Sequence, residues 1–134
     1  MSRSGSTEEC EHIELYRANV DRTIRSKRGQ AFLLELADAM DAMPEKSLIS
    51  GELINADGQC CTLGVVCQSR GLEASKIDYE DQQQVGDELG ISRMMAAEIA
   101  YENDEGVWAA ETDEQRWQRM RKWVYQHLKK ETKT

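Results

Sequence analysis

The chain has 134 residues, 40% of them apolar and 31% charged, which suits one domain with its own core and leaves no room for a second. No apolar run reaches the roughly 18 residues of a membrane span, and Met1-Ser2-Arg3-Ser4-Gly5-Ser6-Thr7 is polar rather than signal-like, so no membrane association is expected. Twenty-five acids against 17 bases give a net charge of −8. The imbalance is segregated. Residues 1–30 hold 6 basic and 5 acidic side chains, residues 31–111 hold 4 and 17, and residues 112–134 hold 7 and 3. Such a middle segment repels polyanions and attracts basic surfaces, while the short basic end either meets an anion or folds back onto the acids.

The elements follow in chain order. Ile13, Tyr16, Val20 and Ile24 recur at helical spacing and predict a helix over about residues 7–26. Gly29 is expected to separate it from a second helix, about residues 30–43. There Phe32, Leu36, Met40 and Met43 form the apolar stripe, Glu35, Asp38 and Asp41 face water, and Pro44 ends the run. Residues 48–55 and 59–61 flank Asp57-Gly58, a hairpin signal if both turn residues take φ > 0. Thr62 then reads as the N-cap of a short helix stopped by Gly71.

Asp78 reads as the N-cap of a helix through Leu89 that Gly90 stops, and Ser92 as the cap of a helix over 93–102 with Met95 and Ile99 inward. Asn103-Asp104-Glu105-Gly106 is expected to be a loop. Thr112-Asp113-Glu114-Gln115 has the capping-box pattern and opens a helix to about residue 130. On it Trp117, Met120, Val124 and Leu128 share one face, with Arg119, Lys122, Lys129 and Lys130 opposite and Trp123 at the margin. The expected fold is mainly α. It is a single small domain over 8–130 of five to six helices with one short β-hairpin, with disordered tails at 1–7 and 131–134. Trp117, Met120 and Val124 are expected to pack onto Phe32, Leu36 and Ile99.

Four groups of residues were weighed for chemistry. Cys10, Cys60, Cys61 and Cys67, with His12 and His127, lack a C-x₂-C pair and the spacing of a zinc site. The absence of a secretory signal points to a reducing compartment with free, buried thiols. Cys61 precedes a helix start that would lower a thiol pKa, and His127 with Asp104 would complete a Cys/His/Asp set, so these three are the catalytic candidates. The clusters Asp78-Tyr79-Glu80-Asp81 and Asn103-Asp104-Glu105 lack the alternation of a calcium loop, and neither a metal nor a cofactor is expected. The bases of the last helix, with Trp123 to stack, would track phosphates, yet the acidic middle disfavours nucleic acid.

One resemblance adds to this reading. The runs Arg28-Gly29-Gln30-Ala31-Phe32-Leu33, Asp41-Ala42-Met43-Pro44-Glu45-Lys46, Cys61-Thr62-Leu63-Gly64-Val65 with Arg70-Gly71, and Glu98-Ile99-Ala100-Tyr101-Glu102-Asn103-Asp104-Glu105 resemble a group of small tailed-phage and prophage proteins of unknown function. Glu111-Thr112, Arg116-Trp117 and Trp123-Val124 continue the likeness, which covers about residues 16–125. The resemblance implies a bacteriophage product acting in the bacterial cytoplasm, with Cys61, Asn103, Asp104 and Glu105 as its landmark positions. With no catalytic motif, the expected function is a non-enzymatic binder of a host protein with a basic surface, such as a CRISPR-Cas effector or antiviral nuclease. Glu73, Asp78, Glu80, Asp81, Asp87 and Glu88 are the expected contact residues. A small thiol- or metal-dependent enzyme centred on Cys61 and Asp104, and a nucleic-acid-binding regulator using the last helix, are the alternatives.

Overall fold

A computed structural model describes the backbone of residues 3–106 and 110–129, and the side chains of Glu14 onward within those ranges. The described residues form six α-helices: α1 (Arg3–Arg25), α2 (Lys27–Asp41), α3 (Thr62–Arg70), α4 (Gln82–Leu89), α5 (Arg93–Glu105) and α6 (Asp113–His127). A single 3₁₀ turn, Ala74–Lys76, lies between α3 and α4. All six helices enclose one apolar cluster, in which Leu33, Leu36, Leu63, Met95, Ile99 and Met120 are among the fully buried side chains. The expected inward faces of α2, α5 and α6 are therefore observed, with Trp117 only half-buried at the rim. No described helix is long and apolar enough to cross a membrane.

α1 starts at Arg3 rather than Thr7, and Tyr16, assigned to its apolar stripe, is exposed while Val20 and Ile24 are buried. Gly29 is not the break between the first two helices. Ser26 is, with its Oγ accepting from Gly29 N at 3.0 Å as the N-cap of α2. Gly29 serves close approach instead. A Cβ there would sit 2.2 Å from Thr23 O and 2.7 Å from Ile24 O, so only glycine lets α2 start directly across the end of α1. The buried Gln30, near the start of α2, then ties the C-terminal ends of α1 and α6 to it. Its Nε2 donates to Ile24 O (2.8 Å) and His127 O (3.0 Å), and its Oε1 accepts from Lys129 N (2.9 Å).

The expected hairpin is reduced to one antiparallel bridge, Ile54 to Cys60, and no strand forms among the described residues. The cause is in the turn. Asn55 O accepts from Gly58 N (3.0 Å) and Asn55 N donates to Gln59 O (2.9 Å), so three residues close the loop. Only Gly58 has positive φ (82°), and Asp57 does not, the arrangement of a type I turn with a glycine bulge rather than a two-residue hairpin turn. Beyond it the segment is held by scattered bonds, such as Ile49 N to Cys60 O (2.9 Å) and Leu48 N to Asp113 O (3.0 Å). It also crosses α3 so closely that a Cβ on Gly64 would lie 1.9 Å from Leu53 O.

Helix starts also differ from expectation where a neighbouring side chain caps better. Cys61, not Thr62, caps α3, and Asp81, not Asp78, caps α4 by accepting from Gln84 N at 3.1 Å. Gly71 and Gly90 stop their helices in the left-handed conformation, and Ser92 and the Thr112–Gln115 capping box open α5 and α6 as expected. Asn103, Asp104 and Glu105 lie inside the last turn of α5, not in a loop.

The arginines of α6 are turned onto the rest of the chain. Arg119, expected on the outer face, donates to Glu111 through Nε (3.1 Å) and Nη2 (2.8 Å), and to the carbonyls of Glu102 (2.7 Å) and Asn103 (3.2 Å). It therefore caps the C-terminus of α5 with positive charge. Arg116 donates to Leu48 O (2.9 Å) and Asp113 (3.0 Å), and its Nε lies 3.3 Å from Glu111 without hydrogen-bond alignment. Arg121, buried, grips Asp41 of α2 with two bonds and lies 3.5 Å over the Tyr125 ring. Arg70 holds Glu35 in the same bidentate way, so two of the three acids assigned to water on α2 are paired.

Arg119, chiefly through its hydrogen bonds, holds the Glu111 carboxyl below the usual carboxylate range. The unfolded carboxyl titrates near about 4.3. Its contribution is therefore present above that pH and is lost as pH falls through the lower folded value. Glu111→Gln is expected to lose about 1–3 kcal/mol at pH 7, by removal of one partner from a poorly solvated pair. The variant should also show a shallower loss of stability on acidification, read from denaturant unfolding at pH 7 and pH 3. An unchanged acid profile would exclude Glu111 as a source.

Candidate functional site

The landmark residues from two distant stretches meet where the N-terminus of α3 faces the C-terminus of α5. Asn103, buried, is the centre of the junction. Its Oδ1 accepts from Thr62 N (3.1 Å) and Thr62 Oγ1 (2.7 Å), and its Nδ2 donates to Ile49 O (3.0 Å) and Asp104 Oδ1 (2.8 Å). Asp104 continues outward, accepting from Gly51 N at 3.2 Å and from the Tyr79 hydroxyl at 2.7 Å. Burial, reinforced by the neighbouring Cys61 and Asp104, drives the Tyr79 phenol far above its ordinary value, so it acts as a neutral donor. Glu105, beside them in sequence, is exposed.

Cys61 is 1% exposed and its Sγ accepts from Gly64 N at 3.4 Å. The expected lowering of its pKa by the helix end is overturned. Burial pushes the thiol up to about 12, with Asp104 adding to the rise and the Gly64 and Leu63 amides only partly opposing it. His127 belongs to another part of the fold. Its ring stacks on Trp123 at 4.2 Å between centroids, with Nδ1 2.8 Å from Trp123 O, and its carbonyl accepts from Gln30. The structure thus brings Cys61 and Asp104 to one junction and leaves His127 outside it, so no Cys/His/Asp set is assembled. An un-ionised, enclosed sulfur capping a helix is a structural group, not a nucleophile.

Cys60 and Cys67 are buried free thiols, and burial raises Cys67 to about 11. No group of three or more His, Cys, Asp or Glu among the described residues is arranged to hold a metal. The side chains of Cys10 and His12, like Lys130 and the tail at 131–134, lie outside the described residues. A groove of about 600 Å³ opens between the end of α2 and the start of α3, lined in part by Met43, Pro44, Gly58, Cys60 and Val65. On α6, Trp123 is buried against His127, and Arg119 and Arg121 are engaged within the chain, while Lys122 is exposed.

The six acids form a different surface. Glu73, Asp78, Glu80, Asp81, Asp87 and Glu88 are all exposed, on the 3₁₀ turn, α4 and the segment joining them. Only Glu73 has a cationic partner among the described residues, Lys76 at 3.0 Å. Asp78 accepts from Glu80 N (2.9 Å) and Asp87 from Gln83 (3.0 Å), neutral donors that leave both charges uncompensated. Thr62, Tyr79 and Arg119 were not singled out from sequence as members of the junction. Only the capping-box register of α6 carried a hint, since it fixes Arg116 and Arg119 on adjacent turns. Comparison with protein-family models, curated proteins and solved structures gives no match.

Asn103→Ala leaves Thr62 N and Ile49 O buried without their partner, and is expected to cost about 2–4 kcal/mol in thermal or denaturant unfolding. Alkylation mapped by mass spectrometry at pH 8 should leave Cys61 unmodified until denaturant is added. Rapid labelling of Cys61 in the folded protein would restore it as a nucleophile.

Proposed function

We propose that this is a phage-encoded accessory protein that works without catalysis. It would bind a host protein through the acidic surface of the 3₁₀ turn and α4, with a basic, phosphate-binding groove on the partner as the complement. The chemistry fits an antiviral effector such as a CRISPR-Cas complex or a nuclease, in which carboxylates would occupy positions meant for phosphates. The phage origin rests on the resemblance of the landmark runs. The single observation that carries the binding mode is that five of the six exposed carboxylates have no cationic partner among the described residues. The arginines of the basic helix are engaged with Asp41, Glu111 and Asp113 instead. Exposed like charges concentrated in one short stretch destabilise the free protein slightly and accelerate docking on an opposite charge.

The test leaves intact Asp81, the cap of α4, and Asp78, which accepts from Glu80 N. Glu73→Lys, Glu80→Lys, Asp87→Lys and Glu88→Lys together should preserve the melting temperature within a few degrees. Wild-type protein, immobilised and exposed to lysate of the bacterial host, should retain a basic protein that elutes as salt rises, and the fourfold variant should not. Retention of the same protein by the variant with unchanged salt dependence would refute the proposal.

A further inference from the structure

A second charged feature lies on the opposite side of the charge balance. Where α1 turns into α2, a cleft of about 370 Å³ is walled by Arg22, Thr23, Ser26, Arg28 and Gly29 on one side and by Ile91, Ser92 and Met95 of the α5 start on the other. Arg25, Lys27 and Arg93 are its immediate neighbours in sequence, and all five cations are exposed. None has an ion-pair partner among the described residues. Arg22 makes only a neutral bond to Asn19, at 2.7 Å. This sets them apart from Arg17, Arg70, Arg116, Arg119 and Arg121, each engaged with a carboxylate. In a chain of net charge −8, Arg22 and Arg28 on one cleft wall, with three more uncompensated cations close by in sequence, repel each other unless an anion joins them.

Within Arg28-Gly29-Gln30-Ala31-Phe32-Leu33 the structural duties are also divided. Gly29 permits the helix crossing, Gln30 ties the helix ends, and Phe32 and Leu33 fill the core. Arg28 does none of this, and its position is on the cleft wall. The amide dipoles of α2 and α5, whose N-caps Ser26 and Ser92 both line the cleft, add positive potential at the same place. A volume of about 370 Å³ suits a compact ligand rather than a flat protein surface.

We infer that this cleft binds the phosphate groups of a nucleotide-sized ligand, with Arg22 and Arg28 as the principal contacts. The site is independent of the acidic face, so either can fail alone.

Calorimetric titration of the full chain at low salt with inorganic tripolyphosphate tests it, with a short single-stranded oligonucleotide as a separate arm. The expected result is saturable tripolyphosphate binding that weakens as salt rises and falls at least about tenfold in Arg22→Gln/Arg28→Gln, through loss of charge-assisted bonds. Lys122→Gln on the outer face of α6 should bind as wild type does. Because both arginines are exposed, the double variant should melt as wild type does. No tripolyphosphate binding at low salt, or binding equal in wild type and the double variant, overturns the inference. Binding of the oligonucleotide alone also overturns it, in favour of a polymer that spans more than the cleft.

Discussion

The architecture depends on one buried amide. Asn103 meets an orphan amide of α3, the hydroxyl of Thr62, a carbonyl of the 42–61 segment and the carboxylate of Asp104, while Arg119 of α6 reaches its backbone carbonyl. An asparagine suits this place because its side chain offers acceptor and donor in one plane. Aspartate would have no donor for Ile49 O, and leucine would leave the groups of both neighbours buried and unpaired. Cys61 caps the same start of α3 and Arg119 the same end of α5. The start of α3, the end of α5 and the course of the long connection are thus fixed by a common constraint.

Charge plays two separate roles around that junction. The arginines of α6 are structural, because planar forks can satisfy a carboxylate and helix-terminal carbonyls at once, as Arg119 does with Glu111, Glu102 and Asn103. The same charges on lysines would have been free to point at solvent. The acids of the 3₁₀ turn and α4, and the bases around the α1–α2 turn, are left over from this internal pairing. Apart from Asp81, which caps α4, and Glu73, which pairs with Lys76, these charges make no contact that folding requires, which is the physical reason to look to ligands for both.

What was legible in the sequence was whatever is decided locally. The glycine stops at 71 and 90, the serine cap at 92 and the capping box at 112–115 depend on a few neighbouring residues, and so do the apolar stripes of α2, α5 and α6. The failures have two causes, a local side-chain bond in one case and contacts distant in sequence in the others. Asp57-Gly58 looked like a two-residue turn, but Asn55 folds its side chain back onto the amides of Asp57 and Gln59 and selects a longer loop. Arg119 fell on the polar side of a helical wheel, yet the end of α5 lies there. Cys61 looked activated by a helix start, although enclosure by residues far away in sequence outweighs the dipole. The landmark runs could be seen to matter without showing that they meet, since the separation of 41 positions between Thr62 and Asn103 hides the contact.

The connection from α2 to α3 has a consequence for how the molecule opens. It contains no regular element among residues 42–61 beyond one bridge, and its ordering comes from bonds to Asn103, Asp104, Arg116 and Asp113. Backbone held by scattered bonds of this kind, rather than by a ladder of its own, has no partial register into which it can fray. It is therefore built to release as one cooperative unit when the α3–α5 junction parts. In hydrogen exchange the amides of Leu48, Ile49 and Cys61 would then share one opening free energy, below that of the amides in the centres of α2 and α5.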